Sequence, residues 1–115
     1  MTNSKNSFKA GDILIVRFPF SNLQSRKVRP ALVVADQKDE DVLMVPISSS
    51  EQNFSKHYQI ADNHYQHRKL PIASSVKYTK LFTLHQSLIH GKYTELKLNV
   101  FEVVREKIVH YVAGR

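Results

Sequence analysis

The chain has 115 residues, 42% of them apolar and 23% charged, with a formal net charge of +7 and no cysteine. Length and composition fit one folded domain with a single hydrophobic core and exclude a disordered chain, while the missing cysteines exclude disulfides and thiolate metal sites. The longest apolar runs, residues 13–16 and 31–35, are too short to span a bilayer, and "MTNSKNSFKA" lacks the apolar stretch of a secretory signal, so a cytoplasmic protein with no membrane partner is expected.

In chain order, "GDILIVRFPF" opens with a glycine turn and predicts a strand over 12–18, rich in β-branched residues. Pro19 closes it, because proline cannot donate to a central ladder. A polar loop over 21–28 leads through Arg29 and Pro30 to a second strand at 31–35. "DQKDED" is a charged turn, and "VLMVPI" predicts a third strand ending at Pro46. "SSSEQNFSKH" has no periodicity and is expected to be a mobile loop. Further short strands are predicted in "HYQIAD", "IASSVKYTKLFTL" and "SLIHGKYT". Near the end, Asn99 and Glu102 have the spacing of a helix-capping box. Phe101, Val104, Ile108 and Tyr111 then recur on one helical face. The expected fold is mainly β (α+β): a small, strongly bent antiparallel barrel or half-barrel with a C-terminal helix packed on it. One domain is expected over 1–115, with a flexible N-terminus at 1–10.

The charge is uneven. Residues 1–30 hold six Lys/Arg against one acid and 51–92 hold six against two, whereas 31–50 are net acidic. Two basic segments that converge in space would attract a polyanion, nucleic acid above all. The stretch "SRKVRPALVVAD" is the sharpest case, since it sets Arg26, Lys27 and Arg29 against the start of an apolar strand. A solvated loop would carry such a cluster without purpose, whereas an anion-handling site would use it, with the strand holding Arg29 at a groove edge and Arg26 and Lys27 steering the polyanion in.

"GDILIVRFPFSN", "KVRPALVVAD", "VPISSS" and "SSVKYTKLFTL" stand in the order and spacing of the MazF/PemK-like toxins of bacterial type II toxin–antitoxin systems, and the chain resembles that family from Gly11 to the final helix. The resemblance implies an SH3-like barrel, a homodimer, sequence-selective and metal-independent cleavage of single-stranded RNA, no cofactor, and inhibition by a cognate antitoxin. It also implies catalytic roles for Arg29 and Ser48. Cleavage by the substrate's own 2′-hydroxyl needs a proton acceptor, a proton for the leaving 5′-oxygen and positive charge on the phosphorus centre. A guanidinium forks two hydrogen bonds onto phosphate oxygens and stays charged at any working pH, which suits Arg29 to charge stabilisation. Ser48 sits where a strand opens into a loop, where a hydroxyl and backbone amides meet a phosphate. Ser49, Ser50 and Lys56 are expected RNA contacts in the same loop.

The sequence departs from the family pattern in "SSVKYTK". Some members carry an arginine and an acid where this chain has Lys77 and Thr79. Lysine keeps the charge without the fork, and threonine removes a carboxylate. Both remain candidate catalytic or phosphate contacts, yet the proton acceptor is unassigned; His57, in the polar loop after Ser48, is the best candidate for it, although its position favours a solvated loop histidine. His64 and His67 read as surface residues of a loop, and His85, His90 and His110 have no evident partner; no metal site is expected. Tyr58, Tyr65, Tyr78 and Phe54 suit stacking on unpaired bases, or packing. Phe18 and Phe20 suit the core or a dimer interface. Two rival functions share the fold: a non-catalytic toxin binding DNA gyrase, and an RNA-binding module that has lost cleavage.

Overall fold

The computed structural model describes residues 7–18, 28–49 and 56–115. Seven strands and one helix follow in chain order: β1 (Asp12–Arg17), β2 (Val28–Val33), β3 (Asp41–Ser48), β4 (Tyr58–Ile60), β5 (Ser74–Val76), β6 (Phe82–His85), β7 (Ile89–Glu95) and α1 (Leu98–Val112). All pairings are antiparallel, in the order β4-β5-β3-β2-β1-β7, with β6 also on β3. β3 is the hub. Its Asp41–Met44 half pairs with β6, and beyond it Ile47 and Ser48 pair with Val76 and Ser75 of β5 on the same edge.

Strand alternation sorts the apolar side chains into two clusters on opposite faces. On one, Ile13, Leu32, Val45, Ile47 and Val76 meet Val100, Phe101, Val104 and Ile108 of α1. On the other, Leu14, Val16, Ala31, Val33, Met44 and Leu84 form a second cluster, flanked by Phe8, Phe18 and Phe82. The ring centroids of Phe18 and Phe82 are 5.1 Å apart, so Phe18 is a packing residue. Phe20 lies outside the described residues.

The sheet curls like a barrel without closing as one. The outermost strands β4 and β7 are linked by the segments that follow them. Tyr65 bridges Leu96, the Gln66 N–H donates to the Glu95 carbonyl at 2.8 Å, and the Lys97 N–H donates to the His64 carbonyl at 2.9 Å. Register shifts between β1 and β7, which skip Tyr93 and His90, supply the local twist that bends the strip. Gly11 fits the same seam. Its φ of 97° suits glycine alone, its N–H donates to Val33 and its carbonyl accepts from Leu96.

Four expectations need correction. The third strand does not end at Pro46 but runs to Ser48. Pro46 falls between the β6 and β5 ladders, its carbonyl accepts the Lys77 N–H, and the Lys77 carbonyl takes the Lys80 N–H instead of the one proline lacks. The helix begins at Leu98 with Lys97 as its cap, so Asn99 is already inside the first turn and no capping box forms there. Val100 takes a place on the buried face, and Tyr111 is 48% exposed because the helix end runs past the sheet. Residues 7–10 are fixed to the body: the Phe8 N–H donates to Gln37 Oε1 and the Ala10 N–H to Asp36 Oδ1. Residues 1–6 lie outside the described residues, as does most of the loop expected over 48–57.

Candidate functional site

The polar ends of β2, β3 and β5 meet at one place. The β2–β3 register pairs Leu32 with Val45 and Ala31 with Pro46. Carried two residues further, it sets Arg29 across from Ser48. Both positions alternate onto the face of the second cluster, Arg29 with Ala31 and Val33, Ser48 with Met44. On the other edge of β3, Ser48 pairs directly with Ser75. Arg29, Ser48 and Ser75 therefore form a row across three strands, spanning about 10 Å between its outer Cα atoms. Arg29 is exposed, Ser48 is half-buried and Ser75 is 1% exposed.

β4 adds the imidazole. It pairs Gln59 with Ser75 and Tyr58 with Val76, and one step further His57 stands across from Lys77. The His57 ring leans diagonally back onto Ser75, with Nδ1 2.9 Å from Oγ. Burial, and then the positive charge of Lys77, hold the His57 pKa below the usual imidazole range. Both effects favour the neutral ring over the imidazolium. Ser75 escaped the sequence reading because a serine in "SSV" carries no signal; only the register of β5 against β3 and β4 gives it a role.

The remaining site candidates divide. Lys77 and Thr79 are both half-buried and flank the turn closed by the Lys80 N–H on the Lys77 carbonyl, with Lys77 beside His57. Ser49 is exposed just after β3. Lys56 turns toward the helix, its Nζ 6.0 Å from the Tyr111 ring centroid. Arg26, Lys27 and Ser50 lie outside the described residues, as does Phe54. Tyr65 is buried in the helix-side cluster, which removes it from base stacking. Tyr58 stacks on His64 with centroids 5.8 Å apart, and Tyr78 packs beneath Lys107 at 5.9 Å. His64 accepts the Ala61 N–H on Nδ1, and His85 lies 3.4 Å from Glu40. A cleft lined by Lys9, Asp12, Glu40, His90 and Lys92 contains none of the row.

A profile of the PemK-like, MazF-like toxins of type II toxin–antitoxin systems matches residues 9–112. No curated protein matches the sequence. Among solved structures, MazF from Deinococcus radiodurans is 18% identical with a TM-score of 0.71, covering 94% of this chain and 97% of its own. The MazE–MazF complex of the same organism gives 18% and 0.73, covering 93% and 96%. A mycobacterial endoribonuclease in complex with its cognate antitoxin gives 12% and 0.68, covering 93% and 95%. These likenesses are of fold, and the profile covers nearly the whole sequence. The chain belongs to the PemK-like, MazF-like toxins of type II toxin–antitoxin systems.

Proposed function

We propose that the chain is a metal-independent endoribonuclease that cleaves single-stranded RNA at short sequences in the cytoplasm. The observation that carries this reading is the strand register, which pairs Ser48 with Ser75 and, extended two residues along β2, brings Arg29 to the same face. The 2′-oxygen of the substrate attacks the adjacent phosphorus as its proton leaves, and the bond to the 5′-oxygen breaks. Arg29 stabilises the charge gathered on the non-bridging oxygens, and Ser48 positions the phosphate. The products are a 2′,3′-cyclic phosphate, which opens to a 3′-phosphate, and a 5′-hydroxyl. Family membership and the mycobacterial endoribonuclease of similar fold support the same chemistry.

A homodimer and an acidic antitoxin complete the proposal. Two copies would join shallow grooves into a deeper one across a twofold axis. Light scattering should then return twice the 13.3 kDa chain mass. The related toxins solved with antitoxins support a partner whose carboxylates lie where phosphates go, opposite a chain of net charge +7. Its binding should weaken with salt and compete with RNA.

The deciding experiment is digestion of a long mixed-sequence RNA in chelator, followed by end-group analysis. Cyclic or 3′-phosphate ends with 5′-hydroxyls are expected. A strict divalent-ion requirement or 5′-phosphate ends would overturn the mechanism. RNA bound and left intact would select the RNA-binding module, and gyrase inhibition without RNA cleavage the gyrase-binding toxin.

A further inference from the structure

The family pattern leads one to look for a proton acceptor at residue 79, but Thr79 has no basic group. We propose that His57 takes the proton of the attacking 2′-hydroxyl and that the buried Ser75 hydroxyl positions it for that task. This rests on the nuclease reading above and supplies the group it lacks.

Three placements converge. Ser75 is paired with Ser48, so the two side chains stand on one face about 5 Å apart. The His57 Nδ1 lies 2.9 Å from the Ser75 Oγ, which ties the ring to the Ser48 end of β3. β4 and β5 are themselves paired, so the strand that follows His57 and the strand that holds Ser75 move together.

The Ser75 hydroxyl could donate or accept in this bond, and the proposal assigns Nδ1–H as the donor. A neutral imidazole has one donor and one acceptor nitrogen, whereas an imidazolium has two donors. With Nδ1–H donating to Oγ, the bond survives both protonation states, and Nε2 carries the basic lone pair. In the reaction, Nε2 takes the 2′-hydroxyl proton as the O2′–P bond forms. The P–O5′ bond breaks, the 5′-oxygen takes a proton from water, and the imidazolium returns its own to solvent.

Lys77 stands across from the ring and acts on it electrostatically. Burial, and then the charge of Lys77, favour the neutral ring, the form that accepts a proton. A bound phosphate would offset the Lys77 charge and raise the proton affinity of the ring when substrate is present. The base is strengthened by the anion it serves.

The test combines single-turnover cleavage in chelator across the acid-to-neutral range with ¹⁵N spectra of the imidazole. Wild type should gain rate with rising pH and level off once His57 is neutral. His57→Gln should lower the plateau by about a hundredfold or more and erase that acid limb. Lys77→Met should move the limb to higher pH, since the His57 pKa returns toward its usual range. Ser75→Ala should lower the plateau by less, and should shift the ring away from the Nδ1–H form expected in wild type. A His57→Gln variant that keeps its rate and acid limb, or a wild-type ring in the Nε2–H form, would overturn the proposal alone. Wild type that leaves RNA intact would overturn the nuclease reading and the role of His57 together.

Discussion

On the helix side of the sheet, Val100, Phe101, Val104 and Ile108 press on Ile13, Leu32, Val45, Ile47 and Val76, and none of these nine exceeds 6% exposure. At the far ends of the same strands, Arg29 is exposed, Ser48 half-buried, and the one fully buried side chain, Ser75, is polar. β3 runs through both regions, with Ile47 still in the helix-side cluster and Ser48 turned to the opposite face. The helix side gains stability from burial and presents no chemistry. The polar end contributes little burial and holds groups at fixed spacing because the strands beneath it are clamped. A substitution should therefore cost stability on one side and turnover on the other.

The largest expected effect tests the clamp. Phe101→Ala removes a ring buried against Gly11 and the helix-side cluster, and should cost about 3–5 kcal/mol of stability. Urea titration measures it, and cleavage per folded molecule should stay near wild type. Turnover lost in proportion to nothing in the unfolding curve would erase the division between the two regions.

Next comes Arg29→Ala, which should lower cleavage by about a hundredfold or more while leaving the unfolding midpoint in place, because the side chain is exposed. Arg29→Lys should recover little, since a point charge cannot reproduce the fork. Ser48→Ala should fall between, with a loss of roughly tenfold for one hydrogen bond to a charged group and a fold retained. Wild-type rates in either folded variant would move the site elsewhere.

The smallest effect sharpens the other side. Thr94 is 2% exposed, and its Oγ1 has no hydrogen-bond partner among the described residues. Thr94→Val should gain on the order of 1 kcal/mol by removing an unsatisfied buried hydroxyl, with cleavage unaltered. A loss of stability on that change would show the hydroxyl to be satisfied.

Much of this was legible in the sequence, and the failures have physical causes. The β-branched runs of β1 and β2 and the spacing of Phe101, Val104 and Ile108 declare their burial, because periodicity is a local property. Arg29 and Ser48 stand out through the family pattern. Pro46 misleads because a proline ends a strand only where its missing N–H has a partner to lose, and that depends on which neighbour lies alongside. Tyr65 misleads in the same way, since a loop residue becomes core only when the segment after β7 closes on it. Asn99 and Glu102 have the spacing of a cap two residues too late, because Lys97 is the cap and Leu98 is already helical. Ser75 was invisible, for its place beside Ser48 and His57 exists only in the register of three strands. What the sequence withholds is pairing between distant segments.

The place of β1 in the sheet has a kinetic consequence. Its partner on one edge, β2, follows soon after it, but on the other it waits for β7, whose Gly91, Lys92, Thr94 and Glu95 pair with residues near 12–15. A strand formed first thus keeps an open, apolar edge until most of the chain has been made. Such high contact order places folding toward the slow end for small domains, about milliseconds to seconds. During translation the nascent chain exposes an edge prone to pair with other strands until residues 89–95 leave the ribosome. Assembly of the Arg29–Ser48–Ser75 row, which rests on the same sheet, is delayed with it.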